Sequence, residues 1–212
     1  AFELFVRESD FQSPTEVIPG LTRLRQLASQ VGDAHSVTRL HIAVARLEGS
    51  RGHCLNAHRH LQIARRFSGD STASLACSID LVDASLESTS GNLARSRTLA
   101  DACFQRASQL NYKKYQVAAV TNMAVVAMHA GQAGRARKCI DYVLAQGASV
   151  TYVTLAALDN LAMLELRSDS LERCQEILES ARIGDMEHDL DVWNRNEGAI
   201  DTDRDFAAKG IE

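Results

Sequence analysis

A pattern of small residues and turn residues recurs four times along the chain and constrains its fold more than any other feature. The turn positions are Gly52, Gly91, Gly131 and Asp169, so successive copies are 39, 40 and 38 residues apart. An alanine stands seven positions before each turn and another small residue stands five positions after it: Ala45 and Ala57, Ala84 and Ser96, Ala124 and Ala136, Ala162 and Cys174. A fixed period of this length, with paired helical segments and no strand signal, is typical of an α-solenoid.

The third copy, residues 118–148, shows what one unit contains. Gly131 separates two apolar segments, and Gly147 is a stop signal at the far end. Ala136, Ile140 and Val143 follow the spacing that places side chains on one face of a helix. Two helices of this length cannot bury both of their faces alone, so each unit requires neighbours of the same kind. The pattern predicts helices over 37–50, 53–67, 72–89, 92–109, 114–130, 133–146, 151–167 and 170–183.

The ends of the chain differ from the four copies. Residues 1–35 are predicted to hold a leading helix remnant, a connector and half a repeat, and Ser36 is expected to cap the helix that follows. Residues 184–212 carry nine acidic and three basic side chains, a net charge of −6 in a chain of −4. This acidic tail is either a cap on the last repeat or a linker. Because the sequence begins with Ala1, we expect a piece of a longer protein.

Composition agrees with a stack of helices. The chain of 212 residues is 45% hydrophobic but only 5% aromatic, so its core must consist of Ala, Leu and Val at close helix contacts. No apolar run approaches the roughly 20 residues that cross a bilayer, and no signal peptide pattern is present, so a cytoplasmic protein is expected. The five cysteines are spread one per helix, which is typical of buried packing residues in a reducing compartment.

The repeated unit resembles the tetratricopeptide repeat. Residues 121–124 (TNMA) and 159–162 (DNLA) are similar to the Asn-Leu-Gly/Ala step of that family, and the resemblance covers about 36–183. The period is nearer 39 than the roughly 34 residues of the family, and the proline that often closes each repeat is absent, so the chain looks most like the tetratricopeptide-like regions of large bacterial regulators. The resemblance implies an all-α fold, a right-handed α-solenoid of about four to five antiparallel helix pairs, with hairpins at 36–70, 71–111, 112–148 and 149–183.

In the resembling family, the first helix of each repeat faces the inside of the superhelix and binds an extended peptide or a helix. Carried over position by position, this implies a concave face formed by Arg39, Ile42, Arg46, Ser78, Leu81, Ser85, Ala118, Thr121, Asn122, Val125, Ala156, Asp159, Asn160 and Met163. Asn122 and Asn160 are the strongest candidates for binding the backbone of a peptide, because a side-chain amide both donates and accepts hydrogen bonds. An equally expected alternative is that each amide forms a hydrogen bond with a neighbouring helix. The mostly apolar lining predicts an apolar or helical partner.

Four residues on one predicted helix suggest a metal site: His53, Cys54, His58 and His60. Cys54 and His58 are four positions apart and share a helix face, where a thiolate and an imidazole are suitable zinc ligands. Two further ligands would have to come from elsewhere, and nothing nearby in the sequence has the two-residue cysteine spacing usual in zinc sites. We therefore favour surface histidines beside a buried cysteine, and predict no metal and no cofactor.

The sequence favours protein binding over other functions. The segment 131–134 (GQAG) lacks the Lys-Ser/Thr end of a phosphate-binding loop, and no Gly-flanked serine nucleophile is present. The net negative charge argues against nucleic acid as a partner. We therefore expect a non-catalytic module that binds a peptide or helix of a partner protein, or associates with itself. The alternative is a sensory segment of a larger signalling or transcription-regulating protein, and an enzyme is a distant third.

Overall fold

The computed structural model describes residues 33–68, 73–146 and 151–181, together with Gln26. These residues are all-α: they form eight helices and, within the described ranges, no strand. The helices are α1 (Ala34–Ser50), α2 (Cys54–Ser68), α3 (Ala73–Thr89), α4 (Leu93–Gln109), α5 (Lys113–His129), α6 (Ala133–Ala145), α7 (Thr151–Leu166) and α8 (171–181). All eight helices predicted between residues 37 and 183 are present among the described residues, with their ends within three residues of the prediction. None of the described helices has the length and apolar character needed to cross a membrane.

Two predicted segments lie outside the described residues. They are the acidic tail at 184–212 and, apart from Gln26 and residues 33–35, the leading segment at 1–35.

The first helix is capped one turn earlier than predicted. Asp33, and not Ser36, is the N-cap residue of α1, and its carboxylate accepts hydrogen bonds from the backbone N–H groups of His35 and Ser36, each at 3.1 Å. The Ser36 hydroxyl also donates to this carboxylate. These hydrogen bonds, the one from the Ser36 hydroxyl above all, lower the pKa of Asp33 below its ordinary value. Asp and Ser are comparable caps, so the sequence alone did not decide between them.

The four aligned turn positions share one backbone geometry. Their φ angles are positive: +79° at Gly52, +82° at Gly91, +70° at Gly131 and +56° at Asp169. In each turn the next residue donates its N–H to the carbonyl five positions earlier: His53 to Glu48, Asn92 to Glu87, Gln132 to Ala127 and Ser170 to Glu165. This is the Schellman ending of a helix, which favours glycine because a left-handed residue closes it. The recurrence in the sequence is therefore a recurrence of structure.

The small residues of the pattern lie where two helices of a hairpin cross. Ala45, Ala84 and Ala124 have no exposed surface, and Ala162 is 3% exposed. In the second hairpin the contact is so close that the Ser96 hydroxyl on α4 donates to the Ala84 carbonyl on α3 at 2.6 Å. A larger side chain at such a crossing would push the helices apart, which explains why the pattern allows only small residues there.

The described residues from 33 to 146 belong to one compact unit, in which helices α1–α6 pack in chain order. Each of these helices contacts the next, and the first helices of successive hairpins also contact each other, α1 with α3 and α3 with α5. Two hydrogen bonds from side chain to side chain join α3 and α5 directly: Ser78 with the Tyr115 hydroxyl at 3.0 Å, and Ser88 with His129 at 3.3 Å. This array is compatible with a helical repeat.

The described residues from 151 to 181, which form α7 and α8, belong to a second compact unit. Their core contains Ala162, Cys174 and Ile177. In the third copy the core residue Ile140 stands nine positions after the turn, and the same spacing from Asp169 predicts Leu178 in the core of this hairpin. Leu178 is instead 49% exposed, and Ile177, one position earlier, is buried. Positions three and four residues after Cys174 both lie near its helix face, and in this hairpin the earlier one is turned inward.

Candidate functional site

Three acidic side chains occupy one face of α3, a helix whose remaining residues are largely apolar or small. Asp80, Asp83 and Glu87 are separated by three and four positions, which places them on the same side of a helix. Asp83 has no exposed surface and Glu87 is 8% exposed. Carboxylates are rarely buried without partners, because removing a charge from water is costly. This face therefore has to be neutralised by the helices that pack against it.

Three arginines from the two flanking helices neutralise this face. Arg65 of α2 places Nη2 2.6 Å from Asp83 Oδ2. From α4, Arg106 Nη1 lies 2.5 Å from Asp80 Oδ2 and Arg95 Nε lies 3.0 Å from Glu87 Oε1. The hydrogen bond to Asp80 raises the pKa of Arg106 above its already high value. With three acids and three arginines, the charge cluster joins α2, α3 and α4 without net charge. Its residues are Arg65, Asp80, Asp83, Glu87, Arg95 and Arg106, with His58.

His58 of α2 completes the cluster and leaves one oxygen unsatisfied. Its Nδ1 lies 3.1 Å from Asp83 Oδ1, and its Nε2 lies 3.8 Å from Glu87 Oε1. The approach of Nδ1 does not meet hydrogen-bond geometry, and Asp83 Oδ1 is the one buried side-chain N or O atom in the described residues that has no hydrogen-bond partner. One atom from each of His58, Asp83 and Glu87 can be chosen so that all three lie within 4.8 Å of one another.

Of the four suspected zinc ligands, only His58 belongs to a group of side chains close enough to hold a metal ion in the described part of the chain. His53 Nδ1 pairs with Glu48 at 2.9 Å, and His60 Nδ1 lies 2.8 Å from His41 Nδ1 with the two rings stacked. Cys54 is half-buried. Only His58 reaches the charge cluster, where its neighbours are carboxylates of the following hairpin. Sequence reasoning missed them, although acidic residues at three-to-four spacing in the apolar stretch 75–88 were a readable signal of a buried polar face.

A pair of buried cysteines adjoins the cluster. Cys77 of α3 and Cys103 of α4 have no exposed surface, and the Cys103 thiol donates to the Cys77 carbonyl at 3.6 Å. A hydrogen bond from Cys103, with the nearby Arg106 guanidinium, lowers the pKa of Cys77 to about 7. The same contact and burial raise the pKa of Cys103. All five cysteines are free thiols, three buried and two half-buried.

The residues of the predicted concave face lie on α1, α3, α5 and α7. All but one retain some solvent access; the exception is Ile42, which is 7% exposed and packs in the core with Leu61 and Ile79. The amide of Asn122 donates to the Leu81 carbonyl of α3 at 3.0 Å, so it takes part in the contact between α3 and α5. The four residues on α7, Ala156, Asp159, Asn160 and Met163, belong to the second unit.

The first unit also has a small cleft that the sequence did not indicate. It encloses about 150 Å³ between α4, α5 and the start of α6, with Leu93, Met123 and Val126 in its wall and Arg97 and Arg135 beside them. The cleft uses a different face of α5 from the predicted concave face. Its size is below the roughly 300 Å³ at which pockets for small organic ligands begin.

Comparison with known proteins adds no family to this description. No family model matches the chain, and no curated protein and no solved structure is significantly similar to it.

Proposed function

We propose that this chain is a non-catalytic protein–protein interaction module in which tetratricopeptide-like hairpins build a right-handed α-solenoid. One observation carries the proposal. The residue that follows each buried alanine of the first helices is accessible to solvent in all four copies: Arg46, Ser85, Val125 and Met163. The residues six positions before those alanines are also partly accessible: Arg39, Ser78, Ala118 and Ala156. A surface that recurs in the same register as the core is what a repeat protein offers an extended ligand.

The chemistry of this surface suggests an apolar or helical partner. Within the first unit, Leu81 and Val125 are only partly buried, and Ala118 and Thr121 add small, adaptable contacts. Basic side chains are confined to α1, so a clamp for a terminal carboxylate, which requires cations along several repeats, is not provided. A helix laid across α3 and α5 would meet the apolar side chains of Leu81, Ala118 and Val125, as in other helix-in-groove interfaces. Ile42 is left out of this surface because it is buried.

A second candidate function is a regulatory segment of a larger signalling or transcription-regulating protein. Helix length favours it: α1, α3, α4 and α5 each have 17 residues, which gives the long period that resembles such regulators. In that case binding at the same surface shifts the population of conformations that the rest of the protein senses. Both candidates use the same binding surface, and they differ in whether a signalling domain is attached.

Site-specific photo-cross-linking tests the proposed surface. A benzophenone amino acid replaces Ser85 or Val125 on the surface, or Lys138 as a matched control on an exposed part of α6. We expect the two surface positions, but not Lys138, to form one discrete product in a lysate of the source cells, and excess unlabelled chain to compete it away. A product of twice the 23.2 kDa chain mass identifies self-association. Equal cross-linking from Lys138, or none from the surface positions, contradicts the proposal.

A further inference from the structure

The three side chains around the unsatisfied oxygen are those that bind a transition metal. His58 offers an imidazole nitrogen, and Asp83 and Glu87 each offer a carboxylate oxygen. Two ligands that each lie about 2.0–2.2 Å from a tetrahedral zinc ion are about 3.4 Å apart. The two close approaches use different nitrogens of the ring: Nδ1 lies 3.1 Å from Asp83 Oδ1, and Nε2 lies 3.8 Å from Glu87 Oε1. A metal ion takes one of these nitrogens, and one atom from each side chain can be chosen so that all three lie within 4.8 Å of one another. Side-chain rotation then has to shorten the longest separation by up to about 1.4 Å to reach the zinc spacing. We propose that His58, Asp83 and Glu87 form a binding site for a divalent metal of the Zn²⁺ class.

Asp83 Oδ1 supplies an independent reason. The oxygen is buried, Oδ2 of the same carboxylate is already bonded to Arg65, and no donor points at Oδ1. His58 Nδ1 is close enough to donate but approaches from an unsuitable direction. A cation bound to both atoms satisfies the oxygen and the imidazole lone pair together, which is the usual solution for a buried carboxylate beside a histidine.

The other oxygen of each carboxylate is already held by a neighbouring side chain. Arg65 holds Asp83 Oδ2 at 2.6 Å, and the Asn92 amide donates to Glu87 Oε2 at 2.9 Å. Both contacts leave one oxygen of each carboxylate directed toward His58, and outer contacts of this kind fix ligand orientation in metal sites. An imidazole with two carboxylates favours zinc, cobalt or nickel over calcium or magnesium, which prefer oxygen ligands alone.

Arg95 competes with the metal for Glu87. Its Nε lies 3.0 Å from Glu87 Oε1, the oxygen nearest His58. The Arg95 side chain is 56% exposed, so it can turn into solvent when a cation arrives, and this removes one of the two positive charges that the divalent ion adds to the cluster. The bound metal joins α2 of the first hairpin to α3 of the second, and a fourth position remains for water because only three protein ligands are present.

Cobalt binding gives a direct spectroscopic test. Co²⁺ is titrated into the metal-free chain, and we expect one equivalent to bind with a visible absorption band that Zn²⁺ abolishes by displacement. His58→Ala is expected to weaken Co²⁺ affinity about 100-fold or more, since loss of a residue that only orients a metal ligand already lowers affinity about 10–100-fold. His53→Ala is the matched control, because it removes a histidine from the same helix end outside the cluster, and its affinity should equal that of the unmodified chain.

Two further variants keep the test decisive if His58→Ala unfolds. Asp83→Asn keeps the shape of the side chain and removes the charge, so it should lose Co²⁺ binding while circular dichroism still shows a helical protein. Arg95→Gln removes the competing cation and should tighten binding several-fold. Absence of stoichiometric Co²⁺ binding overturns the proposal, as do equal losses in the His58 and His53 variants or weaker binding in the Arg95 variant.

Discussion

Replacing Gly131 with alanine should lower the free energy of unfolding by about 1 kcal/mol. Gly131 has a φ of +70°, where a Cβ atom costs about 1–2 kcal/mol. Alanine also restricts the unfolded chain, which offsets about 0.4–1 kcal/mol of that cost. No atom lies within 4 Å of the position that the alanine Cβ would take, so no clash adds to the difference. For a chain of this size the melting temperature should fall by about 2–4 °C.

Gly134 provides the matched control for this prediction, three residues further along the same sequence. It lies inside α6 without a left-handed φ, and a Cβ there also meets open space. Alanine is the better helix former by up to about 1 kcal/mol, so Gly134→Ala should raise the melting temperature. Thermal unfolding followed by circular dichroism at 222 nm measures both variants. If the two substitutions shift the melting temperature in the same direction, the left-handed turn does not govern the stability of this hairpin.

Three other predictions concern the charge cluster, the proposed binding surface and the first helix cap. Arg65→Ala should lower the free energy of unfolding, measured by chemical denaturation, by about 3 kcal/mol, because it leaves the buried Asp83 carboxylate short of a cation. Arg173→Ala removes an exposed ion pair and should lower it by less than about 1 kcal/mol. Equal losses would show that burial does not strengthen the Arg65 ion pair. The double variant Asn122→Ala, Asn160→Ala should give less cross-linked product with the partner. Loss of the Asn122 hydrogen bond should lower the free energy of unfolding by only about 1 kcal/mol. A large loss of stability with unchanged cross-linking would show that both amides are structural. Because the pKa of Asp33 is lower in the folded protein, its cap stabilises α1 at pH values above the ordinary 3.8 and is lost as pH falls through the lower folded value. The protection of the first α1 amides, measured as their hydrogen-exchange rate relative to that of an unstructured peptide at the same pH, should fall there, and unchanged protection would contradict the cap.

The helices and their turns were predictable because both depend on local rules that the chain repeats. Glycine at a left-handed helix end and alanine at a helix crossing are required by backbone and packing geometry, so they appear in the sequence at the same spacing as in the structure. The sequence pattern is a poorer guide in the last hairpin. Asp169, which is not a glycine, has the left-handed turn conformation there, and Ile177 is buried in the core in place of Leu178.

The charge cluster was not predictable in the same way, because no local rule specifies its partners. His58, Asp83 and Arg95 are separated by 25 and 12 positions and come from three different helices. The spacing of the acids on α3 shows that a polar face exists, but which side chains neutralise it depends on how the hairpins pack. A search for zinc ligands limited to one helix therefore found His58 without its two carboxylate neighbours.

The shared turn geometry also has a consequence for how such a chain changes length. Gly91 and Gly131 have the same backbone conformation and the same closing hydrogen bonds, and they are 40 residues apart. A genetic deletion from one of these glycines to the other would join α3 to α6, and a duplication of the same segment would insert another α4–α5 pair. In both cases the new connection would have the same turn geometry as the one it replaces. The chain thus carries recombination points at which whole modules can be gained or lost without a new connection having to evolve.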